Sequence, residues 1–326
     1  MNLIHPRLLG IAALLLATTG WGGMFLVSKD VLQHVDALWF TVIRYGISGA
    51  ALTLLLVPRG AAPWRKLRAH AGALALRGLA GFGAFSVLLL IGLAHSVPSH
   101  GAVIIATVPM TTQLLRWLLD GVRPARSALL TAALALAGVV VVSGILLPAA
   151  RAGESTLIGD LIALAGTLGW IVYTRGAARH AELDVVEYTA LTVLASWPLL
   201  VLAAVVGTVF GVAHVPSATG LALSWHALLY VGLISSAVSV LAFKHGVREL
   251  GAATATAFLN FVPVSVLLIG LMLGKTPSVH EVTGVAMVVA ALLIHTAASR
   301  GASALVRPAV ASSVTPARIR TCTATS

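Results

Sequence analysis

Arg44 lies inside an apolar stretch, residues 37–57, where a charged side chain is out of place. A charge within a membrane-length apolar run is expensive unless it is paired or wetted. Thr41, Tyr45 and Ser48 recur around it at helical spacing, so one stripe of the helix is polar. Two readings stay open. Arg44 could clamp an anionic group such as a carboxylate with its planar fork. It could instead snorkel to an interface or pair with Asp36 and hold the helix in place.

Two prolines sit within other apolar runs. Lacking an N–H, Pro109 would free the carbonyl of Ile105, and Pro263 that of Leu259. Thr107 and Thr111 flank the first, while Thr256 and Asn260 precede the second. These groups suggest a polar-lined cavity; a packing kink is the plainer alternative. Trp21 and Trp170 stand among glycines, which permit close helix approach. With Tyr45 and Tyr173 they could wall an amphipathic pocket.

His100 could titrate in a proton-coupled cycle, or merely occupy a wet helix end. Every acidic residue falls near a helix end and none in mid-membrane, so the sequence does not support coupling to an ion gradient; Asp36, Asp160 and His100 are the only near candidates. Arg116 and Asp120 are spaced as a structural i,i+4 pair. No Gly-rich phosphate loop, zinc-type His/Cys spacing or nucleophile elbow is present. An ATP-driven pump and a hydrolase are therefore disfavoured, and neither a cofactor nor a metal is expected.

The elements that must position these residues are membrane helices. Of 326 residues, 59% are hydrophobic and only 10% charged, with a mean hydropathy of +1.00. A water-facing domain carries roughly a quarter charged residues. Apolar runs near 20 residues cross a bilayer as helices, because barrel strands alternate in polarity instead. The hydropathy pattern predicts spans at 8–28, 37–57, 76–95, 99–118, 127–147, 158–175, 188–210, 222–243, 251–273 and 281–299. The lipid bilayer is thus the main partner, and the net charge of +11 reflects loop asymmetry rather than nucleic-acid binding. With the N-terminus inside, sixteen Lys and Arg fall inside, and only Lys29, Arg151 and Lys275 fall outside. That asymmetry places both termini in the cytoplasm, and the high Ala, Leu and Arg usage is compatible with a bacterial inner membrane. The single cysteine, Cys322, excludes an internal disulfide framework. Residues 301–326, rich in Ser, Thr, Ala and Arg, are expected to form a disordered cytoplasmic tail.

The chain also repeats itself. Gly20-Trp21-Gly22 is echoed by Gly169-Trp170, and Pro109 by Pro263. With five spans per half, the second half enters from the opposite side, giving an all-α protein of two inverted five-helix repeats. The stretch near Pro148–Ser155 links them.

Trp21-Gly22-Gly23-Met24-Phe25 through Lys29, followed by Arg44-Tyr45, resembles the opening of an EamA domain. Gly159-Asp160-Leu161 followed by Gly169-Trp170-Ile171-Val172-Tyr173 resembles a second opening, and Ala252–Gly274 is similar to the fourth-helix pattern. The resemblance implies the drug/metabolite transporter superfamily, with repeats at 8–147 and 156–299. Where family members often carry Gly-Glu after the fourth helix, this chain has Gly121-Val122 and Gly274-Lys275. It implies a secondary transporter, and export of amino acids or related carboxylate-bearing metabolites. The implied partner is a small-molecule substrate, with a second copy of the chain as a further candidate. An intramembrane lipid enzyme would need acid pairs or a nucleophile–base set facing one cavity. A membrane scaffold or sensor would need no broken-helix cavity.

Overall fold

A computed structural model describes residues 6–124, 126–142, 156–251, 255, 258–259, 261–291 and 293–294, the side chains of Pro109, Ser127 and Ala128 excepted. The linker near Pro148–Ser155, the tail 301–326, Thr256 and Asn260 lie outside them. All regular structure among the described residues is helical.

The first repeat begins with α1 (Pro6–Val31) and α2 (Ala37–Leu56). Asp36 caps α2 by accepting from the Leu38 N–H at 2.8 Å, which satisfies one orphan donor of the first turn. Next comes α3 (Ala62–Ala94), continuous over 33 residues. The apolar window predicted only 76–95. Helix-forming Ala, Leu, Arg and Lys carry the same helix on beyond the apolar layer, so hydropathy alone sees only its lipid-deep part. Then follow α4 (Pro98–Ala106), α5 (Val108–Asp120) and α6 (Arg126–Val142). A bend of 48° separates α4 from the body of α5. The missing N–H of Pro109 accounts for it.

The second repeat contains α7 (Leu157–Ala177), α8 (Val185–Val209) and α9 (Ala218–Leu250), then α10 (Phe261–Met272) and α11 (Val279–Ala291). Like α3, α9 runs 33 residues, outlasting the predicted 222–243. Asp184 opens α8 with a capping box completed by Glu187. Six helices are long and apolar enough to cross a membrane, and the bent α4–α5 pair makes a seventh. Ten crossings would also require α6, α10 and α11, each of which abuts residues outside the described set.

A shared irregularity marks the two long helices. Leu79–Ala84 in α3 and Tyr230–Val238 in α9 are wound as π-helix. A π segment misaligns the backbone ladder and concentrates at functional sites. Each π segment faces the first helix of the other repeat. Trp21 of α1 donates from Nε1 to the Ser235 carbonyl in α9 at 3.0 Å, while Gly169 of α7 lies against the Ala80 carbonyl in α3. The repeats therefore cross over: α1 packs on α9 and α10, and α7 packs on α3. Glycine is what lets them close. A Cβ on Gly22 would stand 2.6 Å from the Ser265 Cβ of α10.

Large apolar side chains such as Leu54, Leu202, Val209 and Leu268 face outward. On a water-soluble protein such faces would aggregate; here they meet lipid.

Candidate functional site

At the crossing of α1, α2, α3, α7, α8 and α9 lies a cavity of about 240 Å³. Eight aromatic rings line it: Trp21, Phe25, Tyr45, Phe82, Phe85, Trp170, Tyr173 and Phe243. They form a near-continuous chain. Tyr45 meets Phe82 at 4.8 Å, Phe82 meets Tyr173 at 4.8 Å, and Tyr173 meets Trp170 at 5.3 Å between centroids. Trp170 in turn contacts Phe85, and Trp21 contacts Phe243, both at 5.3 Å. With aromatics at only 6% of the chain, composition gave no hint of this concentration.

Arg44 is the buried charged group of this wall. It is 5% exposed, so it does not snorkel. Asp36 is occupied as the cap of α2. The Arg44 guanidinium donates from Nε to Ser236 Oγ at 2.6 Å and lies 5.1 Å from the centre of the Tyr45 ring. Its Nη1 is buried with no hydrogen-bond partner. Ser236 is held in turn by donating to the Val231 carbonyl at 2.8 Å, a contact five residues back that the π winding creates. Tyr45 shares a hydrogen bond with Ser86 at 2.7 Å. Lys244 supplies a second cation to the cavity wall; it lies within α9, not in a basic loop as the span limits implied.

The proline neighbourhood differs from expectation. Thr107, Thr111 and Pro263 do not line the cavity; Ile105, Val108 and Leu259 do. Thr107 spends its hydroxyl on the Ile104 carbonyl at 2.7 Å, and Thr111 on the Thr107 carbonyl at 3.2 Å. The Leu259 carbonyl is not left free, since the Val262 N–H donates to it at 3.1 Å. Pro263 is buried in α10, on the helix that closes against Gly22. Pro109 lies in the first turn of α5. Of the residues singled out in sequence, the cavity gathers Trp21, Arg44, Tyr45, Trp170 and Tyr173. Sequence reasoning missed Phe82, Phe85, Ser235, Ser236, Phe243 and Lys244. The small-residue runs around them, Gly78 to Ala84 and Ser235-Ser236-Ala237, were the available signal.

Away from the cavity, polar groups tie the repeats together at both ends of the bundle. At the end where α1 finishes, His100 and Asp160 meet, Nδ1 to Oδ2 at 3.1 Å. They are 3% and 1% exposed, so His100 is no wet helix end. Ser96 donates to Asp160 Oδ1 at 2.5 Å and Thr156 to Oδ2 at 2.9 Å. Ser99 of α4 donates to Glu281 of α11 alongside. Lys29 caps the end of α3, donating to the carbonyls of Leu93, Ala94 and Ser96 at 2.9, 2.8 and 2.6 Å. Asp36 takes no part.

At the opposite, basic end, Arg59 pairs with Asp184, and Lys66 with Glu187 at 2.7 Å. Burial pushes the Asp184 carboxyl up, but hydrogen bonds from the Glu187 N–H and from Arg59 outweigh it and hold the group below the usual range. Asp120 does not pair with Arg116. Arg175 of the other repeat grips it with both Nη atoms, at 2.8 and 2.7 Å, a fork-to-carboxylate fit that a point charge cannot offer.

This geometry has relatives. An uncharacterized transporter of Bacillus subtilis, YrdR, is 26% identical over 292 residues, covering 88% of this chain and 91% of its own. A probable terminal-alkyne amino-acid exporter of Streptantibioticus cattleyicolor is 25% identical over 291 residues, covering 86% and 91%. A solved crystal structure at 21% identity superposes with a TM-score of 0.60, over 90% of this chain and 97% of that one, and shares the fold. The sequence model of the EamA-like transporter family matches residues 8–144 and 157–297. Those two matches are the two crossed repeats, and the chain belongs to the EamA-like transporter family.

Proposed function

We propose that this transporter exports small amphipathic metabolites bearing a carboxylate, foremost amino acids with apolar or aromatic side chains. Arg44 carries the reading. A buried guanidinium nitrogen without a partner costs free energy, which an incoming anion would relieve. Around it the aromatic wall suits an apolar body, in a cavity of about 240 Å³. The name of the amino-acid exporter among the relatives supports the same substrate class and direction.

Among the described lining residues there is no acid and no histidine. An acid pair therefore has no members among them. Alternating access would break the His100–Asp160 closure in one half-cycle and the Arg59–Asp184 and Asp120–Arg175 closures in the other. The charge-rich end would face the cytoplasm, with the chain in a bacterial inner membrane. The His100–Asp160 pair, buried between the repeats and outside the cavity, is the candidate for coupling.

The test is efflux from proteoliposomes preloaded with labelled apolar and aromatic amino acids. Flux above protein-free vesicles supports the proposal. No flux of any carboxylate, with folded protein in the membrane, overturns it in favour of a scaffold.

A further inference from the structure

Three residues far apart in sequence converge at the basic end. His70 stands on α3, while His180 and Glu182 lie in the turn between α7 and α8. One ligand atom from each falls within 4.8 Å of the other two. Glu182 Oε1 is shared, 3.0 Å from His180 Nδ1 and 3.5 Å from His70 Nε2. The two rings meet edge to face with centroids 5.1 Å apart. Zn²⁺ with ligands at about 2.0–2.2 Å and tetrahedral angles separates its donor atoms by about 3.3–3.6 Å, which the two edges to Glu182 Oε1 approach, while the edge between the imidazoles lies within 4.8 Å.

His180 is 6% exposed, and it presents Nδ1 to Glu182 Oε1 at 3.0 Å, so this donor atom is held in place by burial. The neighbouring charges do not oppose a cation. Arg59 is taken up by Asp184, and Lys66 by Glu187. Lys66 reaches only the Glu182 backbone carbonyl, at 3.0 Å, leaving the Glu182 carboxylate to the two histidines. Its exposed side leaves room for water as a fourth ligand.

We propose that His70, His180 and Glu182 form a site for a divalent transition-metal ion of the Zn²⁺ class. Two imidazoles and one carboxylate select such an ion over Mg²⁺ or Ca²⁺, which prefer all-oxygen sets. The ion would staple α3 of the first repeat to the α7–α8 turn of the second. Positions 70, 180 and 182 match no short zinc spacing, so only the fold assembles them.

The experiment uses the purified full chain carrying a non-histidine affinity tag, titrated with Zn²⁺ against a chromophoric chelator. One tight equivalent is expected. It should weaken by at least about 100-fold in His70→Ala and His180→Ala, since loss of a direct ligand exceeds the about 10–100-fold cost of losing a supporting residue. It should persist in His214→Ala, an exposed loop histidine. Zn²⁺ should also raise the melting temperature of the wild type and not that of His70→Gln, a variant on the half-buried face of α3 chosen to preserve folding. No tight equivalent in the wild type overturns the site. So does unchanged binding in His70→Gln.

Discussion

Replacing Arg44 with methionine separates the two jobs a buried guanidinium can hold. If Arg44 is a structural strut, its removal should destabilise the bundle. The structure indicates otherwise. The variant loses one hydrogen bond to Ser236, but it also removes a buried Nη1 that has no partner. A hydrogen bond to a charged group contributes about 1.5–3 kcal/mol, and an unsatisfied buried donor costs about 1–3 kcal/mol, so the two nearly cancel. Ser236 keeps its bond to the Val231 carbonyl. The melting temperature of Arg44→Met should therefore stay within a few degrees of wild type, given about 2–4 °C per kcal/mol for domains of 150–250 residues. Substrate binding is the opposite case. Losing one charge-assisted hydrogen bond, about 1.5–3 kcal/mol, weakens affinity for a carboxylate roughly 10- to 150-fold. Thermal-shift scans and equilibrium binding of labelled amino acid to detergent-purified protein read the two quantities on one sample. Arg44→Lys should retain charge but lose the planar guanidinium geometry, falling between wild type and methionine. A methionine variant that melts far below wild type, or that binds the carboxylate with unchanged affinity, refutes the reasoning.

Three further outcomes are expected. Gly22→Ala should destabilise the protein by about 1–3 kcal/mol, because its Cβ would meet that of Ser265, and Ser265→Gly in the same chain should recover part of the melting temperature, since backbone contacts to Val262 and Val266 remain. Asp160→Asn should lower the melting temperature in a thermal-shift scan, because the carboxylate accepts from Ser96 and Thr156 and meets His100 in a buried closure between the repeats. Asp184→Ala should cost about 0.5–2 kcal/mol at neutral pH through the lost cap. The folded-state Asp184 pKa is depressed, so its contribution is present above the unfolded value of about 3.9 and fades as pH falls through the folded value. The melting-temperature gap to wild type should accordingly close on acidification below about pH 4.

Much of the fold was legible in the sequence because lipid leaves a chain few options. Apolar windows located the helices, and the Gly–Trp echoes located the repeat. Where α3 and α9 outrun those windows, Arg65, Lys66, Arg68 and Arg248 continue the helix in polar surroundings that hydropathy cannot register. The π segments were invisible for another reason: they arise where Trp21 and Gly169 press against the partner repeat, a tertiary event. Arg44 could be flagged by its cost in an apolar run, but its surroundings could not. Ser236 and Phe243 come from a helix some two hundred residues away, brought close only by the crossing of α1 with α9. The prolines misdirected the search because a lost N–H need not leave a free carbonyl; at Leu259 the Val262 N–H takes it. Asp120 chose Arg175 over Arg116 because a partner on a facing helix offers both Nη atoms in line.

Counterflow in proteoliposomes tests the central claim most directly. Vesicles loaded with unlabelled phenylalanine are given labelled phenylalanine or labelled phenylalaninamide, which share the aromatic body and differ in the carboxylate. Accumulation of the acid but not the amide, abolished by Arg44→Met, is the expected result. Equal accumulation of both, or of neither, would contradict the assignment of Arg44 and its aromatic cavity as the binding site for a carboxylate.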